Sequence, residues 1–329
     1  MHNHDMYRED RPTFLVPRHI VACLVVVLGI LTACSQPPEP PLRIGTSFWP
    51  GYEPLHLAKS LDLYDDYRVK LIELVNASDV LHAMRTRNLE GAVLTLDEAL
   101  TLIQDGIDLR VILVMDVSNG GDVLLAKPEI KTLAGLRGKR VAVEDTAVGA
   151  ILLDAALEAA GLTVADIEVV ACTVDRHEDC YSSANAVVTF EPVRTRLLNQ
   201  GARLLFDSSQ IPGRIVDVLV VHAEITETHP ESLQYLLGGY FQALEHLQHQ
   251  PDDAARRMAV RLGITAAEML ASYDGISLPG LSGNKTLFAD GPEYLQTTVA
   301  DLAHYMLEKK LLSKVISVEN FIDGSFLAD

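Results

Sequence analysis

Basic residues are scarce in this chain. Lys and Arg number 27 against 45 Asp and Glu, a formal net charge of −18 over 329 residues. A surface this acidic repels nucleic-acid phosphates and anionic lipid headgroups, which excludes general nucleic-acid binding. Cysteine is sparse too, with 4 in all, too few and too scattered for a disulfide-built scaffold. Tryptophan occurs once, as Trp49. No Gly-x-Ser-x-Gly, His-Glu-x-x-His or phosphate loop is present, so nucleophilic and general acid/base catalysis find no anchor. The apolar run at 20–32 is shorter than the roughly 20 residues of a membrane-spanning helix. What remains is an ordinary globular balance, 48% hydrophobic and 22% charged, at a length that suggests about two folding units.

The run IVACLVVVLGILT at 20–32 fits a signal-peptide core. Arg18 and His19 precede it, and Leu31-Thr32-Ala33-Cys34 follows, which resembles the bacterial lipobox. The n-region departs from the usual pattern, because Asp5, Glu9 and Asp10 sit among its bases. Residues 1–33 are therefore expected to be a signal peptide, with Cys34 the lipidated first residue of the exported protein. An ordinary signal peptide with a chance cysteine is the alternative. Residues 34–41 supply a Pro-rich tether (SQPPEPP at 35–41). Arg8, Arg11 and Arg18 balance the three acids of the leader, so its removal leaves −18 on the exported protein.

From Leu42 onward, strand and helix patterns alternate. Strands are expected at 42–46, 69–75 and 92–97, with a helix at 78–87, which implies parallel pairing in an α/β sheet. The same order recurs later: strands at 140–144, 167–172 and 186–191, with helices at 150–160 and 176–183. The strand ends AVLTLD (92–97) and AVVTFE (186–191) match in residue type. The repetition predicts two lobes on one βαβαβ plan. Apolar segments at 110–126 and 215–221 read as crossings between lobes, and thus as a hinge. Lobe 1 is expected to hold 42–122 plus 218–329 and lobe 2 to hold 123–217. Helical patterns at 231–248, 252–262, 266–273 and 292–309 complete lobe 1.

Three segments carry a family resemblance: IGTSFWPGYEPLHLA (44–58), LAGLRGKRVAVE (133–144) and AVVTFEP (186–192). The C-terminal LLSKVISVENFID (311–323) adds to it. The chain resembles the periplasmic substrate-binding proteins of ABC importers, in the group that binds nitrate, sulfonates, taurine and thiamine-pyrimidine precursors. The resemblance implies an α/β, type II periplasmic-binding-protein fold: a two-lobed clam with its ligand in the cleft and no cofactor. It also implies a small-molecule ligand, the transmembrane subunits of an ABC permease as partner, and contact with the membrane through the lipid anchor only. Fungal members that act as pyrimidine synthases carry a dense cysteine cluster, which is missing here, so no enzyme activity is expected. A sensory receptor of the same fold, signalling to a membrane kinase or cyclase, is the alternative reading.

Ligands of open α/β sheets lie beyond the carboxyl ends of the strands. Five loops qualify: 47–53, 95–97, 116–122, 144–149 and 189–191. The first brings Ser47, Phe48, Trp49, Tyr52 and Glu53, where an aromatic beside a turn can stack on a flat or cationic ligand or simply close the lobe. Thr95 and Thr189 occupy equivalent places, followed two residues later by Asp97 and Glu191, which either cap helices or touch ligand. Asp116, Ser118, Asn119 and Asp122 mark the first crossing. Glu144, Thr146 and Gly149 begin the second lobe's first helix. Asp217, alone in an apolar strand, needs a partner or a ligand cation.

These loops hold seven acids (Glu53, Asp97, Asp116, Asp122, Glu144, Asp145, Glu191) and no Lys or Arg. A nitrate or sulfonate site would want Arg or free helix N-termini. The expected ligand is therefore neutral or cationic: an amine, a nitrogen heterocycle or a similar small molecule. Cys172 and Cys180 flank His177. A disulfide is the simplest state for an exported pair, with free thiols the alternative, and the spacing matches no common zinc pattern, so no metal is expected.

Overall fold

A computed structural model describes residues 39–289 and 295–327. The expected signal peptide, Cys34 and most of the tether lie outside the described residues, as do the first three residues of the helix expected at 292–309.

Eleven strands are described: β1 Leu42–Thr46, β2 Val69–Glu73, β3 Gly91–Thr95, β4 Leu109–Ser118, β5 Val123–Ala126, β6 Arg140–Val143, β7 Glu168–Ala171, β8 Ala186–Thr189, β9 Arg203–Asp207, β10 Val216–His222 and β11 Ile276–Ser277. They form two sheets, in the orders β11-β4-β10-β3-β1-β2 and β7-β6-β8-β5-β9. Leaving the edge strand β11 aside, the two orders are the same plan. In each, a parallel trio (β2-β1-β3 or β7-β6-β8) is followed by a strand that runs antiparallel to it (β10 or β5). The repeat in the sequence is thus a repeat in topology, and the chain has the expected two-lobed α/β fold.

Each antiparallel strand follows a crossing. The chain leaves the first sheet after Ser118 and enters the second at Val123; it leaves again after Asp207 and returns at Val216. Asp217 is therefore a residue of the first sheet, paired with Thr95 on one side and Asp116 on the other. On these grounds we propose lobe limits of 42–122 plus 216–327 and 123–215, two residues short of the sequence expectation at the second boundary.

Strand periodicity places the core. Val93, Leu219 and Val221 face helix Pro230–His249, whose Leu233, Leu236 and Tyr240 pack against them. Their chain neighbours Leu94, Val218 and Val220 face the other way, as alternation along a strand requires. That second face belongs to an apolar cluster that runs on into the second lobe through helices Leu96–Gln104, Ala147–Glu158 and Leu295–Glu308. β3 and β10 are buried along their whole length, because both faces of the sheet are covered. The C-terminal segment is tied to β4 by Val111 N–H donating to Phe321 O at 2.7 Å and Asp323 N–H to Val111 O at 2.9 Å.

Sequence periodicity did not reveal β9, β11 or helix Leu281–Leu287. β9 reads RLLFD and has only one fully buried position, so its apolar signal is weak. Helix Leu281–Leu287 is held by a polar side chain instead: Asn284 Oδ1 accepts from Val114 N–H at 2.8 Å, and its Nδ2 donates to Val114 O at 3.1 Å.

Cys172 and Cys180 form a disulfide between the end of β7 and helix His177–Ser183, with Cα atoms 6.5 Å apart. Closing so short a loop restrains the unfolded chain by about 2–3 kcal/mol. The double variant Cys172→Ser/Cys180→Ser is expected to lose stability of that order in a denaturant titration.

Candidate functional site

The two crossings are bonded to each other. Ser118 Oγ lies 2.8 Å from Ser208 Oγ, which also accepts from Gly120 N–H at 2.7 Å. Ser118 Oγ further accepts from Asp122 N–H at 3.2 Å. Ser208 N–H donates to Asp122 O at 2.9 Å, and Ser118 N–H to Ile215 O at 3.0 Å. Asn119 is held from the side by its N–H donating to Gly275 O at 2.9 Å. Ser118 and Asn119, expected to touch ligand, are thus parts of the hinge and do not line the cavity.

Above the hinge sits a pair of carboxyls. Asp116 on β4 and Asp217 on β10 are cross-strand neighbours, 0% and 2% exposed. The first loop covers them: Trp49 Nε1–H donates to Asp116 Oδ2 at 2.9 Å, and the Tyr52 hydroxyl donates to Asp217 Oδ1. Gly51 makes this possible. A Cβ there would lie 1.8 Å from Asp116 Oδ2 and 2.5 Å from Trp49 Nε1.

Beyond this pair opens a small cavity between the lobes, of about 50 Å³. The first lobe lines it with Ser47, Phe48, Trp49, Tyr52, Thr95, Glu98 and Asp217; the second lobe and first crossing add Asp122, Glu144, Val148 and Phe190. Trp49 and Phe190 meet edge to face across the cleft, with centroids 5.4 Å apart. Among the described residues, four acids and no Lys or Arg line this cavity.

Burial sets the electrostatics. It raises Glu98 to about 8, with Asp97 and Glu144 adding repulsion. It raises Asp122 to about 6 against the Ser118 hydrogen bond, and Glu144 to about 7. Asp97 and Asp116 each rise to about 7, again chiefly by burial. Asp217 is pushed well above the usual carboxylate range by burial and then by the Asp116 charge. These six carboxyls, with no Lys or Arg in the cavity wall among the described residues, oppose one another's ionisation.

Several expected residues lie just outside the cavity, for identifiable reasons. Glu53 is fully buried, but its Oε1 accepts from Arg261 Nε at 2.8 Å. Arg261 comes from helix Pro251–Leu262, donates also to Glu73 Oε2 at 2.6 Å and Ser47 O at 3.1 Å, and lies over the Phe48 ring. The loops alone hold no base; the fold brings one to their edge, already saturated by acids. Glu191 caps helix Val193–Asn199, accepting from Thr195 N–H at 3.1 Å and Thr195 Oγ at 2.9 Å, and pairs with Arg194 at 2.8 Å. Thr189 sits behind His177, its Oγ1 3.0 Å from Nδ1. Asp97 is buried beside the backbone of Val148, at the start of helix Ala147–Glu158. Thr146 and Gly149 line a smaller adjoining chamber with Asp122 and Glu144.

Glu98 and Phe190 are cavity residues that loop reasoning passed over. Glu98 carried a readable sign, the capping-box spacing T-x-x-E from Thr95. Its Oε2 accepts from Thr95 N–H at 3.1 Å, so it, rather than Asp97, caps the helix. Phe190 lay between two residues already singled out, and apolar character alone hid it.

Two outcomes follow. The folded protein retains protons that the unfolded chain releases from about pH 4 upward, so stability falls as pH rises toward 8. The ligand-free protein is expected to melt several degrees lower at pH 8 than at pH 5.5. Asp217→Asn, which needs no proton to be neutral, is expected to flatten that profile. Gly51→Ala is expected to lower stability by about 1–3 kcal/mol and to displace Trp49 from Asp116, seen as a shift in the emission of the single tryptophan.

Residues 35–263 match the NMT1-like family. Comparison with curated protein sequences finds no match. Among solved structures, the alkanesulfonate-binding protein SsuA of Xanthomonas axonopodis pv. citri, bound to MOPS, superposes with a TM-score of 0.73 at 18% identity, over 88% of this chain and 99% of that one. The aliphatic sulphonate-binding SsuA of Escherichia coli gives 0.71 at 21% over the same shares. The desulfurization enzyme DszB has the same fold, with a TM-score of 0.61 at 16% identity over 88% of this chain and 98% of that one. At these identities the likeness is one of fold. The family match extends from just beyond the expected lipidation site through both crossings to the arginine that braces the first loop, and the chain belongs to the NMT1-like family.

Proposed function

We propose that this protein is an extracytoplasmic solute receptor that closes its two lobes on a small nitrogenous cation and delivers it to an ABC importer. The observation that carries this reading is the cavity wall: Glu98, Asp122, Glu144 and Asp217, with no base among the described residues, beside Trp49 and Phe190 from opposite lobes. A bound cation would take the place of protons on these carboxyls and stack on the aromatic faces. Closure draws its energy from contacts with both lobes at once.

The same wall argues against a sulfonate, although the SsuA structures share the fold. An anion would meet four acids, and the nearby Arg261 and Arg194 are held by Glu53, Glu73 and Glu191. The fold also hosts an enzyme, DszB. Export and lipid anchoring at Cys34 remain part of the proposal on the sequence pattern. No described helix is long and apolar enough to cross a membrane.

A thermal-shift screen of primary amines and nitrogen heterocycles against alkanesulfonates and nitrate tests the reading. Stabilisation by cations is the expected result, stronger at pH 8 than at pH 6 because binding displaces protons. Glu98→Gln is expected to weaken cation binding about tenfold or more. Stabilisation by anions only would overturn the proposal.

A further inference from the structure

Past Phe190 and Val148, the main cavity adjoins a small chamber in the second lobe, with room for about one water-sized group. Its wall contains Glu144 directly after β6, Thr146 and Gly149 at the start of helix Ala147–Glu158, and His177, the first residue of helix His177–Ser183. Glu144 Oε1, Thr146 Oγ1 and His177 Nε2 are buried, and none has a hydrogen-bond partner among the described residues. The two larger side chains, Glu144 and His177, are 7% and 1% exposed. Buried polar atoms are nearly always paired. Three orphans around one chamber are a hydrogen-bonding shell that awaits an occupant.

The His177 ring is fixed in place. Its Nδ1 is engaged with Thr189 Oγ1 at 3.0 Å, and its face is set by Phe190, edge to face at 6.2 Å. Nε2 is therefore the free position. Burial keeps the ring neutral, at about 4, so it offers a single donor or acceptor rather than a charge. Gly149 lets the helix start lie close against the end of β6: a Cβ there would come within 3.0 Å of Glu144 O and 2.7 Å of Val143 Cγ2.

We propose that this chamber is a distal subsite of the cleft, which takes one uncharged hydrogen-bonding group of the ligand, a hydroxyl in the simplest case. The acids of the main cavity hold the cationic end. The inference rests on the cationic reading of the main cavity and adds the ligand's second recognition point. A cation with a flat ring and a polar group at its far end satisfies all three walls: carboxyls, the Trp49–Phe190 pair, and the His177 chamber. His177 is then a specificity-determining residue, because a ligand without the distal group leaves three buried polar atoms unpaired.

Matched probes test this. Calorimetry at pH 8 would compare benzylamine and phenethylamine with their 4-hydroxy counterparts. The hydroxylated member of at least one pair is expected to bind about tenfold or more tightly. His177→Asn keeps a donor or acceptor near Thr189 and removes the Nε2 position; it is expected to abolish the preference, while the melting temperature reports that the fold is intact. His177→Gln, which reaches toward the Nε2 position, is expected to restore part of the preference. Equal affinity within both pairs, or a preference that survives His177→Asn, would show that the chamber holds a bound water only, and would overturn the subsite while leaving the cationic cleft standing. Failure of all four amines to bind, beside stabilisation by other cations in the thermal-shift screen, would overturn the subsite alone; stabilisation by anions only in that screen would overturn both.

Discussion

Six carboxyls buried at one junction, with no Lys or Arg beside them in the cavity wall among the described residues, are the constraint on which this structure turns. Asp97, Glu98, Asp116, Asp122, Glu144 and Asp217 come from both lobes and the first crossing. An isolated buried carboxylate is costly, and neighbouring ones multiply the cost through repulsion. Burial of these groups is therefore compatible with protonated acids or with a bound positive charge. Ligand chemistry, hinge closure and pH response become three views of one electrostatic condition.

The surrounding architecture holds that condition in place. Asp116 and Asp217 are neighbours because β4 and β10 are neighbours, and that adjacency follows from a chain that crosses between lobes and returns. Trp49 and Tyr52 reach down to the pair because Gly51 lets the loop approach closely. Arg261 fixes the same loop from outside by neutralising Glu53 and Glu73. A base is thus present near the site, yet committed to the scaffold. Apolar packing shared through helices Leu96–Gln104 and Ala147–Glu158 joins the lobes behind the cleft.

Much of this was legible in the sequence. Alternating periodicities marked β1 to β8, and the twin endings AVLTLD and AVVTFE announced two lobes of one plan. Loops at strand carboxyl ends led to Trp49, Tyr52, Thr95, Asp122, Glu144 and Asp217, which do line the cavity. The method failed where a residue's task depends on a partner far along the chain. Glu53 looked like a ligand contact, because Arg261 is 208 positions away. Glu191 was taken by its local cap, and Ser118 by a serine on the returning crossing. β9 and β11 escaped because short strands with few buried positions carry almost no periodic signal. His177, read only as a neighbour of two cysteines, lies in the wall of the adjoining chamber through tertiary placement alone.

Solved proteins of this fold include sulfonate-binding proteins and a desulfurization enzyme, and the role proposed for this chain is solute capture. The local charge of this cleft points away from sulfonates. The global figure of −18 is mostly surface, whereas four acids in one cavity wall are a statement about ligand. Native mass spectrometry of the full-length protein, purified from its own source without added ligand, tests that statement most directly. The account predicts a retained small molecule that carries a protonatable nitrogen. A retained sulfonate, or any other anion, would contradict it.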